Sequence, residues 1–286
     1  MHTEIKAYAK LNISLDVTDK RPDGFHNMVM VMQSISLADD VAISLNSSGR
    51  VRASCNMSFI PGDERNLAVK AAARYLKEIG DDRHGADIRI VKRIPVGAGM
   101  GGGSSDAAAV LHGMNALFDR RVSDARLIEI SGDVGSDVPF CVMGGTALAE
   151  GRGERLTPLP PFPDCAFVVC KPDFAISTPE LFKKLDMLRT HHHPDTAGMI
   201  AALHAGDLPQ LCRRMYNVFE CVDDRRMRAV SEMKNALLDN GALGAVMTGT
   251  GSAVFGVFAD AAGAESACAA LQGEYSFCCT ARPNNK

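Results

Sequence analysis

The chain has 286 residues, 46% of them apolar and 23% charged, with a formal net charge of −3. That length holds two domains and a sizeable core, and the composition is that of a soluble globular protein. A balance this near neutrality excludes the bulk basic field that binds nucleic acid or anionic membranes, so an anionic ligand has to be held by local charge and backbone N–H groups.

The opening MHTEIKAYAKLNISLDV mixes charge with its apolar residues and has no signal-peptide core. The most apolar later window, GAVMTGTGSAVFGVF, is too short and too rich in glycine to span a bilayer. A cytoplasmic protein with neither nucleic-acid nor membrane partners is expected. Nine cysteines are an odd number without a C-x-x-C pair, which reads as free thiols in a reducing cytosol. The run HHH at 191–193 reads as a surface loop, and no metal ligand is assigned to it.

In chain order, IKAYAKLNISLDV alternates as a strand, and MVMVMQSISL and DDVAISL read as two further strands. NLAVKAAARYLKEIG is a helix with a glycine stop, and ADIRIVKRI is a strand. SSDAAAVLHGMNALF is a helix with a serine cap, and SDARLIEISGDVG is a helix ending in glycine. The four prolines of LTPLPPFPD, 156–164, mark an extended connector between residues 1–155 and 164–286. Beyond it come a short buried strand, DCAFVVCKP, and the helix TPELFKKL with Thr178 as cap and proline at its first position. Helical patterns follow at 195–206, 207–216 and 223–240. Two strands around a glycine turn, AVMTGTGSAVFGVF, then a helix, DAAGAESACAALQG, and a last strand, YSFCCTAR, complete an α+β pattern.

The chemistry is concentrated in PVGAGMGGGSSDAA, Pro95 to Ala108. Glycine lets the chain adopt positive φ and lets a phosphate approach the main chain. Successive N–H groups form an anion nest, and the helix that follows adds its N-terminal dipole. No lysine follows in Walker position. The G-x-G-x-x-G at Gly97, Gly99 and Gly102 lacks the flanking strand and acid of a dinucleotide fold. The later motifs of a protein kinase are missing.

The loop resembles instead the P-x3-G-[LM]-G-x-[GS]-S signature of the GHMP kinases. AYAKLNISLDVTDKRPDGFHNM, GSDVPF, KPDFAISTPELF, NVFE and MTGTGSAVFGVF extend that resemblance over nearly the whole chain. They resemble one branch, which phosphorylates the 2-hydroxyl of a cytidine diphosphate derivative of methylerythritol in the non-mevalonate isoprenoid route. The resemblance implies two α+β domains, 1–155 binding ATP and 164–286, with the active site in the cleft between them. It also implies ATP as phosphoryl donor, Mg²⁺ with it, and a monomer or weak homodimer.

Residue by residue, the resemblance makes Asp137 the general base for the alcohol and Lys10 the charge that keeps that carboxylate ionised. Pro95, Gly97, Ala98, Gly99, Met100, Gly101, Gly102, Gly103, Ser104 and Ser105 would bind ATP phosphates, with Asn66, Leu67 and Lys92 on the adenine side. Phe25 and Phe182 would stack on cytosine, His26 would bond its edge, and Asn12 and Thr178 would contact the polyol. Phe25 stands where the family usually has Tyr, and NVFE where NDLE is usual. Gly249 to Ser252 form a second glycine loop expected to line the cleft. A homoserine or mevalonate kinase of the same family is the alternative, and an ATP-binding sensor without turnover is the alternative of another class.

Overall fold

A computed structural model describes residues 1–188 and 192–285. His191 of the histidine run lies outside the described residues. The chain forms two compact units: Met1–Ala9, Leu37–Ile94 and Gly101–Gly144 make the first, and Lys10–Ser36, Pro95–Met100 and Gly145–Lys286 the second.

Two long strands contribute to both units, β1 (His2–Lys20) and β2 (His26–Asn46). The sequence pattern divides β2 in two at Ala38–Asp39, yet the strand runs through. Asp39 does not break it because its carboxylate is buried and hydrogen-bonded rather than solvated.

In unit 1, β4 (Gly85–Val91) pairs antiparallel with Asp40–Asn46 of β2 and parallel with β3 (Val51–Cys55), a strand that the pattern did not announce. Helix α1 (Leu67–Ile79) starts at Asn66, whose side chain accepts the Ala68 N–H, and ends at Gly80 with φ 67°. These are the cap chemistries its sequence carries. Ala68, Ala71, Ala72, Tyr75 and Leu76 bury one face against α2 (Gly102–Leu117), and the Tyr75 hydroxyl bonds Asn115. Helices α3 (Asp124–Ser131) and α4 (Val138–Met143) close a core that includes Ile43, Ile88, Val110, Leu111 and Leu127.

In unit 2, Met28–Gln33 of β2 pair with β5 (Thr146–Gly151), which pairs with β6 (Arg155–Pro158). The proline connector therefore begins inside a strand. A second, antiparallel sheet has the order β11 (Phe277–Ala281), β7 (Ala166–Lys171), β10 (Val254–Phe258), β9 (Gly244–Met247). All five residues of β10 are buried, as the central position of that strand requires. Helices α5 (Thr178–Leu185), α6 (Thr196–Ala205), α7 (Leu208–Cys212), α8 (Arg226–Asp239) and α9 (Ala261–Leu271) belong to this unit. The two-residue strand β8 (Tyr216–Asn217) pairs with Ser14–Leu15 of β1.

Two cap expectations are corrected. Helix α2 begins two residues before Ser104, on Gly101 with φ 68°, and has no side-chain cap. The serines fall inside its first turn, where Ser105 Oγ donates back to the Gly101 carbonyl at 3.0 Å. Helix α5 takes Ser177 rather than Thr178 as its N-cap residue, without a side-chain cap bond, and the Thr178 hydroxyl bonds that of Thr250 at 2.7 Å. Among the described residues no helix is long and apolar enough to cross a membrane, and all nine cysteines are free thiols.

Candidate active site

In unit 2 the glycine loop packs on the second glycine loop, main chain against main chain. Gly99 has φ 75°, and a Cβ there would lie 2.1 Å from the Thr248 carbonyl oxygen. Gly249 faces it, with a Cβ position 2.8 Å from the Gly99 oxygen. Thr248 Oγ1 donates to that same oxygen at 3.2 Å, and the Ala253 N–H reaches the Ala98 carbonyl. Only glycine permits this approach at both positions. Ala98 and Met100 are buried beneath the loop, while Gly97 is exposed and Pro95 half-buried.

Strand β1 joins these loops. The Lys10 N–H donates to the Met100 carbonyl, and the Asn12 N–H to Thr248 Oγ1 at 3.1 Å. Lys10 and Asn12 are both buried, and Lys10 Nζ donates to Asn12 Oδ1 at 2.6 Å. Lys10, Asn12, the glycine loop and Thr248 thus form one cluster. Asp137 belongs to unit 1, where it is the half-buried N-cap residue of α4. Pro139 is the second residue of that helix, where its missing N–H costs no hydrogen bond.

The segment NVFE proves informative at its ends. Asn217 Nδ2 donates to the carbonyls of Met247 and Gly249 at 2.7 and 2.8 Å, and Glu220 Oε1 accepts the Met247 N–H at 2.7 Å. These two side chains hold the second glycine loop in shape. Val218 and Phe219, which depart from the usual sequence, are buried apolar residues. The retained ends are the available signal in the sequence.

The turn between β1 and β2 presents the aromatic residues. Gly24 takes φ 86°, the Arg21 N–H donates to the Phe25 carbonyl, and Asp23 accepts the Phe25 N–H. Phe25 is 53% exposed, with the Arg152 guanidinium 5.1 Å from its ring centroid. His26 stacks on Phe182 at 4.6 Å, and Phe182 meets Phe219 edge-on. Asp186, at the end of α5, accepts from His26 Nε2 at 2.6 Å and from Lys20. Burial opposes its ionisation, but Lys20 and His26 outweigh that and hold the carboxyl below its usual range.

The remaining candidates lie in unit 1. Asn66 caps α1 through Oδ1 and donates from Nδ2 to the Pro61 carbonyl, and the Leu67 side chain lies against Gly103. The N–H groups of Gly102, Gly103 and Ser104 open α2 with no side chain capping them, an arrangement suited to an anion. Lys92 is buried, and its ammonium sits between Asp39 and Asp106. Burial lowers its proton affinity, but the Asp106 and Asp39 charges more than offset this and raise it. Burial lifts the Asp106 carboxyl well above the usual carboxylate range, against the pull of Lys92.

Among the described residues no group of three or more His, Cys, Asp or Glu could hold a metal ion.

Known proteins resemble this chain over most of its length. Residues 66–145 match the GHMP kinases N terminal domain and residues 199–276 the GHMP kinases C terminal family. The chain is 44% identical over 255 residues to 4-diphosphocytidyl-2-C-methyl-D-erythritol kinase of Clostridium novyi, covering 89% of this chain and 90% of that one. It is 45% identical over 251 residues to the enzyme of that name from Exiguobacterium sibiricum, with 88% and 87% covered. A crystal structure of 4-(cytidine 5'-diphospho)-2C-methyl-D-erythritol kinase superposes with a TM-score of 0.83 at 32% identity, covering 99% of this chain and 100% of that one. Homoserine kinase from Cytophaga hutchinsonii superposes with a TM-score of 0.79 at 20% identity, covering 100% of this chain and 96% of that one, a likeness of fold alone.

Proposed function

The chain belongs to the GHMP kinases, and on that premise we propose that it transfers the γ-phosphoryl group of ATP to the 2-hydroxyl of 4-diphosphocytidyl-2-C-methyl-D-erythritol. The carrying observation is the likeness to kinases of that substrate over nearly the full length of both chains. In this reading residues 1–155 form the N-terminal ATP-binding domain and 164–286 the C-terminal domain of a cytoplasmic monomer or weak homodimer.

The chemistry follows from the residue types. The N–H groups of Gly97 to Ser104 hold the phosphates, helped by the open first turn of α2. Asn66, Leu67 and the backbone at Lys92 border the adenine. The tertiary alcohol is a weak nucleophile and loses its proton as the phosphoryl group arrives. Asp137 takes that proton, a contribution of about 10²–10⁴ in rate. Lys10, already oriented by Asn12, meets the charge of the transferring group. Mg²⁺ would neutralise phosphate charge when bound with ATP, and the Ser105 hydroxyl is a candidate oxygen for it. Phe25, His26 and Phe182 recognise the cytosine, and Asn12 and Thr178 the polyol.

An ATP-consumption assay tests this with 4-diphosphocytidyl-methylerythritol, methylerythritol 4-phosphate, homoserine and mevalonate side by side. Turnover with the first alone is expected. Turnover with an alcohol lacking a nucleobase would keep the phosphate loop and remove the base-recognition role from Phe25, His26 and Phe182.

A further inference from the structure

The glycine loop leaves unit 1 after Ile94 and returns at Gly101. One buried ion cluster touches the chain on both sides of that excursion. Lys92 stands two residues before the exit, and its ammonium bonds Asp106 Oδ2, on the second turn of α2, at 2.7 Å. The same ammonium bonds Asp39 of β2. Asp39 Oδ1 in turn accepts the N–H groups of Arg93 and Ile94, the last two residues before the loop, at 2.5 and 2.8 Å. The side chains of Asp39, Lys92 and Asp106 are 0, 3 and 6% exposed. Gly102 lies on the cluster: a Cβ there would sit 3.2 Å from Lys92 Nζ and from an Ile94 methyl.

This cluster is a poor way to gain stability. It brings two carboxylates and one ammonium out of water, and Asp106 Oδ1 is buried with no hydrogen bond among the described residues. Apolar side chains of similar volume commonly serve a core as well or better. What apolar side chains do not supply is direction. The carboxylate of Asp39 fixes two successive backbone N–H groups, and the ammonium sets the separation between that strand end and the start of α2.

We propose that Asp39, Lys92 and Asp106 are positioning residues that hold the two ends of the phosphate loop at the spacing a triphosphate requires. The inference rests on the reading that this loop binds ATP. It makes the cluster a determinant of nucleotide affinity that touches no nucleotide phosphate itself.

The test uses the triple variant Asp39→Asn/Lys92→Met/Asp106→Leu, in which the amide introduced in β2 still offers an oxygen to the N–H groups of Arg93 and Ile94. Dissociation constants are measured by calorimetry for the β,γ-imido analogue of ATP and for cytidine diphosphate, beside the melting temperature. The expected result is a melting temperature equal to or above wild type, an analogue Kd raised at least about tenfold, and a cytidine diphosphate Kd within about twofold. An analogue Kd within about twofold of wild type, or equal weakening of both ligands, would overturn the proposal. If the triple variant does not fold, Asp106→Asn decides by the same two constants, with a severalfold selective loss of analogue affinity expected. Wild-type protein that failed to bind the analogue would sink the nucleotide reading and this inference with it. Wild-type binding with insensitive variants would sink this inference alone.

Discussion

The His26 imidazole lies against the Phe182 ring, with centroids 4.6 Å apart and planes 23° from parallel. One aromatic face of Phe182 is therefore already covered by a side chain whose Nε2 is bonded to Asp186. A base recognised at this place would meet the pair as a unit, and Phe25 offers a mostly exposed ring. Phe182→Ala is expected to raise KM for the cytidylyl substrate about tenfold or more, on the scale of one lost base stack, and to change KM for ATP less than about twofold. Steady-state kinetics on both substrates check this. Equal increases would make Phe182 a packing residue.

Asp137→Ala is expected to lower kcat by about 10²–10⁴ while leaving the substrate dissociation constant near wild type. The residue is only half-buried and makes no side-chain cap bond to α4, so its removal spares the helix. A variant that kept near wild-type kcat would show that another group takes the proton.

Two glycines of positive φ separate strain from collision. Gly24 has φ 86° and open space around its Cβ position, so Gly24→Ala meets only the backbone cost of about 1–2 kcal/mol. Gly99 has φ 75° and a carbonyl oxygen 2.1 Å from that position, so Gly99→Ala has to displace Thr248 as well. Urea denaturation is expected to rank Gly99→Ala as clearly the more damaging, with ATP affinity falling in step. Equal losses would mean that the two glycine loops separate freely.

Glu78 is held by Arg126 and Arg74, in that order of effect, and its carboxyl is depressed to about 2. A carboxylate depressed in the folded state adds stability that is present above its unfolded pKa and lost as pH falls through the folded value. Melting temperature is thus expected to decline between about pH 4.5 and pH 2. Glu78→Gln is expected to lower stability at pH 7 and to flatten that acid limb. A limb unchanged in the variant would assign the acid sensitivity to other carboxylates.

Most helices were legible because their signals are local. Asn66 and Gly80 each cap α1 through partners no more than about a turn away, and Gly206 ends α6 in the left-handed conformation as its pattern requires. What stayed hidden depends on distant partners. Asp39 reads as the start of a separate strand until it meets Lys92, 53 residues away in the chain. The serines of the glycine loop look like caps, since nothing local reveals that Gly101 already starts the helix. Of the site, the residue types and the loop were readable from resemblance, and the clustering of Lys10 and Asn12 with Thr248 emerged only from strand geometry. The bonds from Asn217 and Glu220 to the second glycine loop span 27 to 32 residues, beyond any local pattern.

Helix α2 begins on a bare Gly101 and lacks the side chain that normally completes a helix start. A triphosphate seated there would do what a serine or aspartate does elsewhere: accept the open N–H groups and oppose the helix dipole. The nucleotide would then be part of the fold's own wiring as well as a reactant. The enzyme's resistance to unfolding would rise and fall with the cell's supply of ATP, by the mass-action law that couples any ligand to the state it prefers.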